Sequence, residues 1–409
     1  MSITTPTTTP AASRATRARL LLYASIFIAM IAYGMTLPLF PFLLESFGGR
    51  GLHMGLLVAA YGVMQLLCAP IWGRMSDRTG RKPMLLLGMS GLTASLLVFA
   101  FARNLPMLYL GQLLMGGLTS ALFPVASAYI TDVTDDDARA GALGRIGAAT
   151  GLGIVVGPGL GGLLALDSLS LPFFISAGAA LLVCGFMVVV LPESLHQRTT
   201  THGGDPRFGL VAAARALRGP IGIGLFLLFA VYFGKSNLSG VFSLFAMEKF
   251  AYGTTEIGGL LMIMGLGYAL VQGIAVGPLT RRFGDNAMIT ACTAGSALGF
   301  LALLFAPHFV ALAAALCLFI ACNAGLKPTV LSWISRNATM GHGSVMGYAD
   351  VFMSSGRILG PLWAGALFDL NVAYPFISGS VFFAAVFLGL VLKPGAVLST
   401  SPGTRRRFS

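Results

Sequence analysis

Uncharged or nearly uncharged runs of about 20 residues follow one another along almost the whole of this 409-residue chain, and that is the length an α-helix needs to cross the hydrocarbon core of a bilayer. Twelve such runs are predicted, at 20–44, 52–73, 84–102, 106–131, 142–166, 171–192, 220–247, 255–277, 287–306, 308–333, 344–369 and 373–392. Backbone groups in hydrocarbon must bond internally, so the runs are expected to be helices. Composition excludes an ordinary soluble domain: 56% of residues are apolar and 10% charged, where roughly 25% charged is usual. The tightest junction is Ala306-Pro307-His308, between the ninth and tenth runs.

The second half of the chain repeats the first. Gly153, Gly157, Pro158 and Gly162 reappear 203 positions later as Gly356, Gly360, Pro361 and Gly365, and Pro172-Phe173 reappears as Pro375-Phe376. At an offset of 204, Gly73-Arg74-Met75-Ser76-Asp77-Arg78-Thr79-Gly80 aligns with Gly277-Pro278-Leu279-Thr280-Arg281-Arg282-Phe283-Gly284. The offset is half the chain, so the expected fold is an all-α integral membrane protein of twelve spans in two pseudo-symmetric six-helix halves. Parallel duplicated bundles of this kind place a site between their halves. The expected divisions are a disordered cytoplasmic N-terminus (1–19), an N-terminal half (20–192), a cytoplasmic linker (193–219), a C-terminal half (220–393) and a basic cytoplasmic tail (394–409).

Charge sets the expected orientation. Of 26 Lys and Arg, three lie deep within spans (Lys235, Lys327, Arg357) and three (Arg50, Arg103, Lys249) in loops on one side, which leaves 20 in loops, tails or span ends on the other. By the positive-inside rule that side, with both termini, is cytoplasmic. The net charge of +12 then reads as topology and contact with anionic lipid rather than nucleic acid. A cleaved leader is not expected, because the first run is too long and continues through Leu37-Pro38-Leu39-Phe40-Pro41 without a small-residue cleavage site. The short outer loops hold no glycosylation sequon, and a bacterial inner membrane is the expected location.

No enzyme or cofactor signature emerges. Cys68, Cys184, Cys292, Cys317 and Cys322 all sit in apolar runs, as small core residues do. His53, His196, His202, His308 and His342 lie at helix ends or in loops without metal-ligand spacing. No phosphate loop or nucleophile set is present. The reading is therefore a non-enzyme without metal or cofactor, a monomer whose partners are the lipid bilayer and a small-molecule substrate.

Three motifs carry a family resemblance. Gly73 through Pro83 resembles the loop between the second and third helices of the major facilitator superfamily. Gly144 through Gly162 is similar to the fifth-helix motif of its drug:proton antiporters, and Leu37 through Pro41 to their first-helix motif. With the twelve runs, the likeness covers nearly the whole chain, and tetracycline and multidrug efflux proteins come nearest. The resemblance implies alternating access driven by a proton gradient, with a central cavity lined by spans 1, 4, 7 and 10. It also implies a cytoplasmic latch in which Asp77 meets the start of the eleventh span near Ser344.

Physical reasons stand beside the resemblance. Thr79-Gly80 forces a tight turn, and Asp77 is an anion placed where it can neutralise a helix N-terminus. Gly73, Arg78, Gly80 and Arg81 belong to the same loop, with Asp132 as a partner for Arg81. The alternative is a charge cluster that only fixes topology. Gly153, Gly157 and Gly161 lie four apart, as do Gly356, Gly360 and Ala364, and small residues at that spacing let helices approach closely. With Gly162, and with Pro158 and Pro361 as kink points, these faces are expected to pack tightly and to form a bending or sliding seam between the halves.

Charges inside the bundle carry the most weight, since each costs roughly 2.5–3.5 kcal/mol at a helix centre. They are Lys235, Lys327, Asp350 and Arg357. Lys327 and Asp350 lie at matching depth and are candidates to pair. Asp350 is the one intramembrane carboxylate and so the proton-coupling candidate. Tetracycline-type exporters carry an acid in the first span and an arginine in the fourth; here Ala29 and Gln112 take those positions, and losing both avoids stranding one buried charge. The polar and aromatic cavity candidates are Tyr33, Tyr61, Gln65, Gln112, Tyr232, Asn237, Tyr268, Gln272 and Asn323, with Lys235, Lys327 and Arg357. Two substrate readings stay open for the exporter: amphipathic molecules in general, by resemblance, or anionic and zwitterionic ones, from three cations against one acid. Importer, lipid or metallophore exporter, and non-transporting receptor are the alternatives.

Overall fold

The computed structural model describes residues 10–194, 216–219, 221–338 and 342–392. All regular structure among them is helical. The helices are α1 (Pro10–Ser46), α2 (Gly51–Thr79), α3 (Arg81–Ala100), α4 (Leu105–Thr119), α5 (Leu122–Asp132), α6 (Asp136–Leu164), α7 (Leu171–Val190), α8 (Gly222–Phe250), α9 (Thr254–Leu270), a π turn (Val271–Ala275), α10 (Val276–Phe305), α11 (Phe309–Asn337), α12 (His342–Leu370) and α13 (Tyr374–Leu392). The predicted spans fall on these helices, the eighth running over α9, the π turn and the start of α10. The fourth is divided between α4 and α5 at Ser120-Ala121.

Ten stretches among the described residues are long and apolar enough to cross a membrane, and one of them, Thr254–Phe305, runs for 52 residues. A bilayer needs about 20, and this stretch leaves helical geometry at Gly284 (φ 80°, ψ 161°), where the eighth predicted span ends and the ninth begins. Gly80 makes the matching turn between α2 and α3 with φ 112°. Both φ values lie where a Cβ is strained, so glycine is what each turn requires. At the tight junction before α11, His308 is the N-cap and its Nδ1 accepts from Ala311 N at 3.3 Å.

The chain's outward surfaces are apolar. Val189 on α7 is 83% exposed and Leu392 on α13 is 76% exposed, an arrangement stable against lipid and not against water. Helix α1 starts ten residues before the predicted span, at Pro10. The disorder expected of 1–19 is thus corrected for 10–19: the polar segment continues the helix of the apolar run it precedes. Residues 1–9, most of the linker and the tail 394–409 lie outside the described residues.

Contacts divide the chain into two compact units. The described residues of the first fall within Met1–Leu43, Val63–Gly203 and Thr254–Gly259; those of the second fall within Leu44–Gly62, Gly204–Gly253 and Leu260–Ser409. In the first unit α6 lies on α1. A Cβ added at Gly153 would sit 2.6 Å from Met30 Cβ, and one at Gly157 2.6 Å from Ile31 O. In the second unit α12 lies on α8 in the same way, Gly356 against Phe229 O and Gly360 against Phe233 O. These four-apart glycines were expected to form a seam between the halves. The structure corrects that: they pack helices of the same half, because close backbone approach there leaves no room for a Cβ.

Other residues of α6 and α12 receive short segments of the opposite half of the sequence. Thr254 and Thr255 Oγ1 donate to Gly162 O at 2.9 and 3.3 Å, and Gly258 fits against Pro158. In the second unit, 203 positions on, Gly55 fits against Pro361 and Gly51 against Gly365 and Phe368. Gly51 N and Leu52 N donate to the two carboxylate oxygens of Asp369 at 2.8 and 3.0 Å.

Candidate functional site

Four helices of the second unit bring the cations together. On α8, Tyr232 and Lys235 lie three residues apart and therefore on one face. Helix α11 contributes Asn323 and Lys327, again one turn apart. It is fastened to α8 by Asn323 Nδ2 donating to Val231 O at 3.2 Å, one turn before Lys235. Helix α12 contributes Arg357, beside the Gly356 that meets α8 at Tyr232 Cβ. From α9 comes Tyr268. The π turn that follows it carries Gln272, whose Nε2 donates to Ala324 O at 3.4 Å. Single π turns are frequent where a helix re-aims side chains at a site.

The cations sit on aromatic faces. Lys235 Nζ is 4.2 Å from the ring centroid of Tyr268. Lys327 Nζ and the Arg357 guanidinium carbon are 5.8 and 5.3 Å from that of Tyr232. Arg357 and Lys327 both bear electrostatically on Lys235. All three are half-buried. Among the described residues no carboxylate lies within ion-pair distance of Lys235 or Lys327. A ring face stabilises a cation by about 0.5–2 kcal/mol, less than the cost of holding a charge at a span's centre. The arrangement can hold an anionic group at Lys235 and Lys327. Asn323 Oδ1, buried without a hydrogen-bond partner, adds an acceptor one turn from Lys327.

Other predicted members lie elsewhere. Lys327 and Asp350 do not pair: Asp350 is exposed on α12, because equal depth on two helices does not fix the direction each side chain takes around its axis. Asn237 is fully buried, with both side-chain polar atoms unpartnered. It lies two residues from Lys235, on the other side of α8. Ala29 and Gln112 are buried, and Gln112 Oε1 has no partner. Tyr33, Tyr61 and Gln65 are half-buried. The first unit thus keeps uncharged side chains at the positions where the resemblance sought an acid and an arginine.

The loop motif of the first unit closes on itself. Arg81 Nη1 donates to Asp77 Oδ1 at 2.5 Å and to Ser76 Oγ at 2.7 Å, while Nε reaches Asp132 Oδ2 at 3.2 Å. Sequence reasoning missed Glu193. Its carboxylate accepts from Arg81 N at 2.8 Å and Lys82 N at 3.1 Å, and so caps the start of α3 with a residue 112 positions away. Ser194 Oγ adds a bond to Asp132 at 3.1 Å. The α12 residues near Ser344, toward which Asp77 is expected to reach, lie outside the described side chains.

Comparison with known proteins agrees with this architecture. The profile of the Major Facilitator Superfamily matches residues 22–234 and again residues 224–407, once for each half. Multidrug resistance protein 2 of Bacillus subtilis (strain 168) is 31% identical over 380 residues, which cover 91% of this chain and 94% of that protein. The class C tetracycline resistance protein of Escherichia coli is 31% identical over 374 residues, 88% of this chain and 92% of its own length. Among solved structures, the nucleoside transporter NupG aligns with a TM-score of 0.74 at 12% identity, over 94% of this chain and 100% of that one. The human organic anion transporter MFSD10 (TETRAN) aligns with a TM-score of 0.65 at 23% identity, over 93% and 99%. These two likenesses speak to the fold.

Proposed function

This chain belongs to the Major Facilitator Superfamily; it is a multi-pass membrane transporter and not an enzyme, and from that premise we propose that it is a proton-coupled exporter of small anionic or zwitterionic amphipathic molecules. The names of its relatives, multidrug and tetracycline resistance proteins, support export. The observation that carries the substrate charge is the pair of lysines, Lys235 and Lys327, held on tyrosine faces without a carboxylate partner. In this reading a carboxylate or phosphate group completes the cluster, and an apolar body occupies the rest of the cavity. The alternating-access cycle moves that cluster from cytoplasmic to outer exposure in a cell inner membrane, with both termini inside.

Asp350 is the proton carrier in this proposal. Its exposure on α12 supports a group that meets solvent and exchanges its proton. Asp77 keeps its expected role as a cytoplasmic latch toward α12, and 47% exposure of its side chain supports a carboxylate with capacity beyond Arg81.

The test uses inside-out vesicles with an imposed pH gradient and matched anionic, neutral and cationic fluorescent substrates. The expected result is gradient-dependent uptake that favours the anion and is lost in Asp350→Asn, while downhill exchange persists. Preference for cationic substrates would reject the anion site. Full gradient-driven transport in Asp350→Asn would reject its coupling role.

A further inference from the structure

Beside the lysines lies an acceptor that the helices leave unused. Asn323 on α11 is 1% exposed. Its Nδ2 donates to Val231 O on α8 at 3.2 Å, and its Oδ1 is buried with no hydrogen-bond partner among the described residues. Turning the amide over would set Oδ1 against the Val231 carbonyl, acceptor against acceptor, so the nitrogen is held on α8 and the oxygen is left over. Lys327 follows four residues later on the same face of α11, its Cβ about 5–6 Å from that of Asn323. Its Nζ lies over the ring of Tyr232 and not on Oδ1. The fold does not demand an amide here. At an offset of 204, which carries Pro124 onto Pro328, Asn323 matches Thr119, whose hydroxyl donates to Met115 O of its own helix. The unused acceptor thus belongs to the half that holds the lysines, and a buried acceptor without a donor is a costly state.

We infer that Asn323 is a specificity-determining residue: its Oδ1 accepts from an uncharged hydrogen-bond donor, a hydroxyl or an amide N–H, that the substrate carries next to its anionic group. This rests on the anion reading proposed above and narrows its class to anions of the 2-hydroxy-acid or N-acyl-amino-acid type. With the anionic group at Lys327, a donor on the adjoining carbon faces an oxygen one helix turn away. An ammonium at that place, as in a zwitterion, would meet Oδ1 only beside the Lys327 ammonium, and like charges at that spacing repel. An anion with no donor still engages the lysine but leaves Oδ1 covered and unpaired. A site polar atom left unpaired in this way is what discriminates against an analogue that lacks the matching group.

The experiment uses the purified full-length protein in detergent and measures equilibrium binding of probes that share one phenyl body: each enantiomer of mandelate, its O-methyl ether, phenylacetate, the zwitterion phenylglycine and uncharged mandelamide. At least one mandelate enantiomer should bind about tenfold more tightly than phenylacetate and than its own O-methyl ether, the worth of pairing one buried acceptor. Phenylglycine should bind no more tightly than phenylacetate. In Asn323→Leu the ratio of mandelate to phenylacetate should fall toward one, with phenylacetate itself changed by less than about threefold. The unliganded melting temperature reports whether the variant is folded, and the wild-type ratios decide even if it is not. Equal binding of mandelate, its ether and phenylacetate, all tighter than mandelamide, overturns the donor inference and leaves the anion reading standing; a water held on Oδ1 in every complex would give that result. A ratio that persists in folded Asn323→Leu, or phenylglycine binding as tightly as mandelate, overturns it as well. Binding of every acid no tighter than mandelamide overturns both.

Discussion

The inner joints of the two halves hold the same positions with the charges exchanged. In the first half Arg81 at the start of α3 pairs with Asp132 at the end of α5, and with Asp77 one turn before it. Adding 204 to each number gives Asp285, Arg336 and Arg281, and Asp285 does pair with Arg336. The turn glycine between them, Gly80 or Gly284, has positive φ in both. A change at only one position would set two like charges against each other. What the repeated fold needs at this joint is a neutralised pair, and the sign is free. The bilayer core differs in another way. There the second half carries three cations and the first carries none, so no fold requirement explains them. The proposal accordingly places substrate recognition in the core asymmetry and not in the ion pairs of the joint.

The largest effect expected from that contrast falls on transport. Lys235→Ala should lower transport of anionic substrates by on the order of 10- to 100-fold, the worth of a charge-assisted contact of about 1.5–3 kcal/mol. Neutral substrates should change far less. A contrasting change in the first half, Gln112→Leu, removes an acceptor that already lacks a partner, and anion transport should shift by less than about twofold. Vesicle uptake of a matched anionic and neutral pair measures both. Equal losses in the two variants would break the claim that the charged work belongs to one half.

How much of this was legible beforehand follows the physics of each feature. Span positions come from the length and polarity of local runs, and the glycine turns from their place between two such runs. Both are written within a few residues of sequence. The break at Gly284 falls between two predicted spans, at the position aligned with Gly80. By contrast, Glu193 capping Arg81 and Lys82, and Asp369 capping Gly51 and Leu52, join residues 112 and more than 300 positions apart. One sequence does not encode such pairs in any local pattern. The Lys327–Asp350 pairing failed for a related reason, since depth was readable and azimuth was not. The exchange of charges at Asp285 and Arg336 is half visible in the repeat, in that Arg281 stands at the position matching Asp77, whereas Arg336 lies outside the aligned segment.

The two joints are expected to differ in strength as well as sign. Arg81 has three side-chain partners in Asp77, Ser76 and Asp132. Asp285 has Arg336 on one oxygen, and its other oxygen is buried without a partner among the described residues. Removing one member of a buried pair costs about 3–5 kcal/mol. Asp77 and Asp132 are partly exposed, so Arg81→Ala is expected to cost about 2–3 kcal/mol. Asp285→Asn should cost about 1 kcal/mol or less, because the site is already incompletely satisfied. The exchange Asp285→Arg with Arg336→Asp should recover most of the loss of either single change, with a coupling of about 0.5–3 kcal/mol. Denaturant unfolding of the purified protein tests the order. A loss in Asp285→Asn as large as that in Arg81→Ala would remove the distinction between the joints.

The smallest predicted effect lies at the starts of α2 and α9, which are copies 203 positions apart and are secured by different chemistry. The first amides of α2, Gly51 and Leu52, give both their hydrogens to the Asp369 carboxylate, an anion at the positive end of a helix. The position matching Asp369 in the first half is Leu166. At the start of α9 the hydroxyls of Thr254 and Thr255 instead donate to Gly162 O, a link without a charge. Removing the carboxylate in Asp369→Ala should cost about 1 kcal/mol, the ordinary worth of a helix cap. Asp369→Asn keeps an acceptor oxygen and should lose only part of that, the charge–dipole share of a few tenths of a kcal/mol. Hydrogen exchange localises the effect: the amides of Gly51 and Leu52 should lose protection in Asp369→Ala, while those at the start of α9 should not. Equal loss at both helix starts would mean that the two ends open together and that the cap does not act locally. Unchanged exchange at Gly51 and Leu52 would mean that the glycine contacts with Pro361 and Gly365 hold the start of α2 without the carboxylate.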